Sequence, residues 1–291
     1  MRTIPLGPGG PAVSVIGYGG MHLSIEGRPL ESVGIRTIQA SLDQGVTLID
    51  TADVYCLDQS DIGHNERLIA SALTSWTGSR DRITVATKGG LIRPEGRWER
   101  DARPERLQRA CERSLRALGV EALDLYQLHA PDHQVPFAES VGALADLQRA
   151  GWIRRVGLSN VSVAQIREAQ AIVPIASVQN RLNPWFREAI TDGVVKYCGE
   201  QAIAFLAYSP TGGGRLTRKI PQHTAARAVA ERRGISPHQV VLAWVLSRGA
   251  TVIAIPSSRS VEHAVDGAGA AAVSLTAADL SEIDHAEWSR A

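Results

Sequence analysis

From residue 45 onward, short runs of β-branched and large apolar residues alternate with longer stretches in which apolar positions recur every three or four residues. The short runs are "GVTLID", "RITVATK", "LDLYQLH", "IRRVGLSN", "IASVQN", "IAFLAYS" and "TVIAIPS". Such alternation predicts βα units around a parallel sheet. With "SVIGYGG" as an earlier strand the count reaches eight, the number that closes a barrel. The predicted fold class is therefore α/β, a (β/α)8 TIM barrel. Ahead of it, "RTIPLGPGGPAVSV" reads as a small β-hairpin with a Gly/Pro turn, placed to plug the bottom of the barrel, and additional helices follow the last strand.

The helical stretches carry their own start and stop signals. "PERLQRACERSLRALG" has Pro104 in its first turn, sets Leu107, Cys111, Leu115 and Leu118 on one face and stops at Gly119. Its opposite face carries Arg106, Arg109, Arg113 and Arg116, which reads as a solvated outer wall rather than a binding patch. Ser236, Pro237 and Gln239 form a capping-box start for "HQVVLAWVLSR", with Gly249 expected in a left-handed conformation at its end. Thr276 and Asp279 repeat the box ahead of Leu280 and Ile283. No linker, low-complexity tract or repeat divides the chain, so residues 1–291 are expected to form one barrel domain.

Composition narrows the partners. A 44% hydrophobic, 21% charged chain with 31 basic and 30 acidic side chains is an ordinary globular one, and a net charge of +1 points to neither nucleic acid nor an anionic membrane. No apolar leader follows Arg2 and no run has the length of a membrane span, so a cytoplasmic location is expected. Cys56, Cys111 and Cys198 form neither an even disulfide set nor a CxxC pair, as in a reducing compartment. None of the eight histidines shows HExxH spacing and no carboxylate cluster sits beside them, so no metal site is expected, and His22, His133 and His285 read as surface or structural residues.

The informative feature lies at the strand ends. Each β-rich run is apolar in its body and turns polar only at its C-terminal end: Asp50, Lys88, His129, Ser159 with Asn160, Gln179 with Asn180, Tyr208 with Ser209. In a βα-barrel these ends meet on one face, where barrel enzymes keep their active sites. A lone charged residue there is ordinarily a solvated rim residue. Asp50, Lys88 and His129, however, lie about 40 residues apart, the length of one βα unit, and so stand on consecutive strands. Tyr55 follows in the loop after Asp50 and can fold back over it.

These residue types suit proton transfer. A phenol with a reference pKa near 10 is a poor proton donor at neutral pH. A protonated Lys88 beside it would favour the phenolate and lower that pKa; a buried lysine needs a counter-ion to stay charged, and Asp50 is the candidate. His129 can then orient a substrate carbonyl by a hydrogen bond.

Asp50 and Tyr55 in "DTADVY", Lys88 in "TKGG" and His129 in "LYQLHAPD" resemble the catalytic tetrad of the aldo-keto reductases. "VGLSN" at 156–160, "SVQN" at 177–180, "AYSP" at 207–210 and "IPSS" at 255–258 follow in the family's order, and the resemblance runs from about residue 4 to 288. It implies a nicotinamide cofactor laid across the barrel mouth without a Rossmann GxGxxG motif. In that frame Ser159, Asn160 and Gln179 match positions that bind the nicotinamide carboxamide. Tyr208 matches the aromatic stacked on the ring, and Ser209, Pro210, Gly212, Gly213 and Gly214 match the pyrophosphate loop. Ser257, Ser258, Arg259, His263, Asp266 and Gly267 match the adenosine end. There the match loosens: His263 replaces the common arginine or glutamine, and Asp266–Gly267 replaces Glu–Asn. The resemblance implies NADPH through Arg259, with NADH as the alternative. Trp98 and Trp185 are substrate-pocket candidates.

The implied activity is reduction of aldehydes or ketones to alcohols, with pyridoxal reductases among the similar branches. Two other readings use the same residues: a Schiff-base barrel aldolase built on Lys88, disfavoured because an Asp50 neighbour raises a lysine pKa, and a non-catalytic, cofactor-sensing subunit.

Overall fold

The eight apolar runs form eight parallel strands, Tyr18–Gly19, Leu48–Asp50, Thr84–Gly89, Leu125–Leu128, Val156–Ser159, Ile175–Arg181, Ala204–Tyr208 and Val252–Ala254, each hydrogen-bonded to the next in chain order. A computed structural model describes residues 1–290. The sheet curls until its first and last strands meet: Ile16 bridges Ala254 in parallel, Gly17 donates to the Ala254 carbonyl at 2.8 Å and Gly19 to the Pro256 carbonyl at 2.8 Å. This is a closed (β/α)8 barrel. The seam requires a residue without a side chain at Gly19, where a Cβ would lie 2.9 Å from the Ile255 carbonyl oxygen.

Period-two alternation sorts each strand into an inner and an outer face. Leu48, Ala86, Leu125, Ala204, Leu206 and Ile253 point inward and pack together. Ile49, Tyr126, Val156, Leu158, Val178 and Phe205 point outward, under the helices. The hairpin of Thr3–Pro5 against Ala12–Ser14 closes the bottom, inserting the fully buried Leu6 and Val13 into the inner cluster. Burying such a side chain contributes roughly 1.5–3 kcal/mol.

The helix Pro104–Leu118 ends on Gly119 at φ 66°, and Leu107, Cys111 and Leu118 are buried as the spacing predicts. Both capping boxes form: Ser236 accepts from the Gln239 amide and Thr276 from the Asp279 amide. Two expectations are corrected. The helix Pro237–Leu246 ends with Ser247 rather than Gly249, which is not left-handed but sits tightly against Val252 and Val195. Arg106 and Arg113 do not simply face water, because both reach round their helix towards the fully buried Asp53, Arg113 to within 3.4 Å; Arg109 and Arg116 are exposed as expected. Beyond the barrel helices, Ala277–His285 docks on Thr224–Arg233 by placing Asp279 between Arg232 and Arg233. All three cysteines are buried and free.

Candidate active site

Asp50 and Lys88 end neighbouring strands on the inner face, and their side chains meet at the barrel's axis. Lys88 is fully buried, and its ammonium donates to Asp50 Oδ2 at 2.6 Å, to the Thr51 carbonyl at 2.8 Å and to the Tyr55 hydroxyl at 3.0 Å. Every N–H of the ammonium is thereby used. Asp50 Oδ1 accepts from Gln179 at 2.7 Å and Gln127 at 3.3 Å, so the anion is held on both oxygens. Burial alone would lower the Lys88 pKa, but the charge and hydrogen bond of Asp50, with Tyr55, raise it above the ordinary lysine value. Lys88 is therefore a cation at neutral pH.

Tyr55 accepts from Lys88, which leaves its own hydroxyl proton to be donated elsewhere. Burial pushes its pKa above that of a free phenol; Lys88 works against that rise and Asp50 with it. The sequence reading expected the neighbouring cation to bring the pKa down. The cation acts in that direction, but burial outweighs it. His129 stands edge-on to the Tyr55 ring, centroids 5.8 Å apart. Burial, reinforced by the Lys88 charge, holds the imidazole well below its usual pKa and therefore neutral, and its Nδ1 has no hydrogen-bond partner among the described residues. A neutral imidazole beside a protonated phenol can hold a carbonyl oxygen while the phenol supplies its proton.

One cavity of about 1000 Å³ opens from this cluster across the top of the barrel. Asp50, Tyr55, His129 and Trp98 line one region; Ser159, Asn160, Gln179 and Tyr208 line the next. Asn160 is tied to its surroundings by bonds to the His129 carbonyl (3.0 Å) and from the Tyr208 hydroxyl (2.9 Å). Ser209, Pro210, Gly213 and Gly214 carry the cavity outward to Ser257, Ser258, Arg259, His263, Asp266 and Gly267. Asn160 and Ser209 adopt positive φ, 59° and 48°, which is uncommon for residues with side chains and concentrates at functional sites.

The sequence model of the Aldo/keto reductase family matches residues 15–287. The chain belongs to the aldo-keto reductase family. This aldo-keto reductase is 34% identical to a probable aldo-keto reductase 1 of Glycine max over 97% of its own length and 88% of the relative's. Among solved structures, a glycerol dehydrogenase from Gluconobacter oxydans is 31% identical, with a TM-score of 0.81 over 94% of this chain and 91% of that one. An aldo/keto reductase from Klebsiella pneumoniae in complex with NADP and acetate is 29% identical, with a TM-score of 0.82 over 98% and 95%.

Three of the residues singled out from sequence do not line the cavity of the aldo-keto reductase. Lys88 lies behind Asp50 and Tyr55, which stand between it and the cavity. Gly212, at φ 88°, forms the back of its loop, where a Cβ would lie 2.7 Å from Leu216. Trp185 is a correction: it is buried with Leu216, Ile220 and Val241 and packs edge-on against Trp288, supporting the glycine loop from beneath. His22 is the opposite correction, since it lines the cavity next to Met21 rather than serving only as a surface or structural residue. Its place directly after the first strand was the available signal. Arg218 and Leu91 also line the cavity without having been singled out.

The cavity's donor set suits a dinucleotide. Gly213 and Gly214 take positive φ (67° and 45°), and a Cβ on Gly214 would meet open space, so a phosphate can approach the backbone there with Arg218 alongside. Ser257 lines the cavity, and its Oγ is buried there with no partner among the described residues. The same residues hold no group of three or more His, Cys, Asp or Glu arranged to bind a metal, and none of their helices is long and apolar enough to cross a membrane.

Proposed function

We propose that this aldo-keto reductase converts aldehydes or ketones to alcohols, with NADPH as its preferred cofactor and Tyr55 as the proton donor. The carrying observation is the Lys88 ammonium 3.0 Å from the Tyr55 oxygen, kept positive by Asp50. Bound NADPH supplies a hydride from its nicotinamide. The chain supplies the rest. Ser159, Asn160 and Gln179 would hold the carboxamide, Tyr208 the ring face, Gly213, Gly214 and Arg218 the pyrophosphate, and Arg259 the 2′-phosphate.

Tyr55 keeps its proton until a carbonyl oxygen gains negative charge. The proton then moves to that oxygen, and the phenolate left behind is stabilised by the Lys88 cation. Since that stabilisation grows only as charge develops on Tyr55, it lowers the barrier rather than the ground state. Neutral His129 can orient the carbonyl without competing for the proton. The same geometry weighs against an imine-forming aldolase: a lysine with all three N–H groups engaged and its pKa raised is a poor amine nucleophile.

The test is NADPH and NADH oxidation, followed by absorbance, against a panel of aldehydes and ketones that includes pyridoxal and glyceraldehyde. Turnover of about 1 per second or faster on at least one aldehyde is expected. Rates far below that on every member would favour the cofactor-sensing subunit.

A further inference from the structure

Beyond the tetrad, one charged side chain is placed where general physical chemistry would not put it. Arg93 follows the third strand in the short antiparallel arm Leu91–Ile92, paired with Glu99–Arg100. It is fully buried, yet its Nε and Nη1 have no hydrogen-bond partner among the described residues. Only Nη2 is engaged, by the Leu57 carbonyl at 2.8 Å and Glu26 at 3.1 Å. A buried guanidinium so poorly satisfied costs stability, and an apolar side chain of equal length would fill the space at less cost. What such a side chain could not do is lay a planar cation on an aromatic ring. The guanidinium carbon sits 4.0 Å from the centroid of Trp98.

Trp98 lines the cavity, stands edge-on to Tyr55 with centroids 6.4 Å apart, and is 45% exposed despite its size. It directly precedes the arm's second strand, Glu99–Arg100. Arg93 takes one part of the ring surface and leaves the remainder to the cavity, and through Leu57 it ties the indole to the loop that carries Tyr55. We propose that Arg93 is a positioning residue that sets substrate selectivity: it fixes Trp98 as a flat wall beside Tyr55, favouring carbonyl compounds with an aromatic ring on the carbonyl carbon over short alkyl ones. This rests on the carbonyl-reductase reading of the same site.

The experiment compares kcat and KM for benzaldehyde and propanal, with NADPH, in the wild type, Arg93→Met, Arg93→Lys, Trp98→Ala, Trp98→Phe and the Arg93→Met/Trp98→Ala double variant. Arg93→Met should cut the benzaldehyde-to-propanal ratio of kcat/KM about tenfold, between the size of an exposed and of a desolvated cation–π contact, through KM rather than kcat. Trp98→Ala should do the same, and the double variant should lose no more than either alone. Arg93→Lys should recover part of the ratio and Trp98→Phe most of it, while the NADPH Kd stays within about twofold. An equal loss on both aldehydes, an unchanged ratio in Arg93→Met, or losses that multiply in the double variant would overturn the proposal. If NADPH binds but no aldehyde turns over, the reductase reading fails separately. Calorimetric binding of benzyl alcohol to the NADPH complex, tighter in wild type than in Arg93→Met, then decides the role of Arg93, with equal affinity counting against it.

Discussion

Asp50 Oδ2 lies 2.6 Å from Lys88 Nζ, both groups are almost wholly out of water, and this contact keeps the lysine charged. Asp50→Asn removes the largest cause that raises the Lys88 pKa and leaves burial, which lowers it, less opposed. Lys88 should then lose its proton at lower pH, and with it the stabilisation of the Tyr55 phenolate. The alkaline limb of the pH profile of kcat is expected to move down by about 1–3 units, the range for loss of one adjacent opposite charge. A limb at the wild-type pH would show that Asp50 does not hold the lysine in its charged form.

Glu66 and Asp53 form a second buried polar group, on the outer side of the strand that carries Lys88. Glu66 Oε1 accepts from Thr87 at 2.6 Å, while Glu66 Oε2 and Asp53 Oδ1 have no partner among the described residues. Burial, with the Asp53 charge, pushes Glu66 up to about 7, and burial pushes Asp53 up to about 6 against the pull of Arg113. A carboxyl whose pKa is raised on folding favours the folded state while protonated. Its contribution is complete below the unfolded value near 4.5 and disappears as pH climbs through about 7. Glu66→Gln retains a neutral group at all pH. Relative to that variant, wild type should lose stability on the order of 1–3 kcal/mol between pH 5 and pH 8, read from urea unfolding at each pH. A pH-independent difference between the two proteins would rule out the buried proton.

Arg259 is held by two backbone carbonyls, His22 at 3.1 Å and Glu26 at 3.0 Å, at the end of the cavity assigned to the adenosine. A guanidinium already ordered there can meet a 2′-phosphate with little further loss of freedom. Arg259→Met should weaken NADPH binding about tenfold, or 1.4 kcal/mol, and change NADH binding by less than about twofold. Fluorescence titration with both cofactors checks this; parallel losses would assign Arg259 to loop structure instead.

The barrel and the meeting of Asp50, Tyr55, Lys88 and His129 were legible because each follows from a short-range rule. Alternation sends Leu48 and Asp50 to one side and Ile49 to the other, and parallel strands bring their C-terminal ends together. What was not legible depends on long side chains whose direction no periodicity sets. Helical spacing put Arg113 on the outer face, but a side chain of that length can turn back to Asp53. Trp185 and Trp98 carry the same ring on comparable loops. Only the tertiary contacts, Trp288 against one and Arg93 against the other, bury the first and leave the second at the cavity. Arg93 itself gave no signal, since an arginine in a polar loop looks like any solvated residue. Gly249 was misread because a glycine after a helix fits both a left-handed cap and a tight packing point.

The central claim is that Tyr55, with its oxygen held by Lys88, delivers the proton. Its most direct test is Tyr55→Phe, measured as kcat on the best aldehyde together with the NADPH Kd. We expect kcat to fall by about 10²–10⁴-fold, the usual contribution of a positioned general acid, while the Kd changes by less than about twofold. A variant that turns over at close to the wild-type rate would contradict the claim.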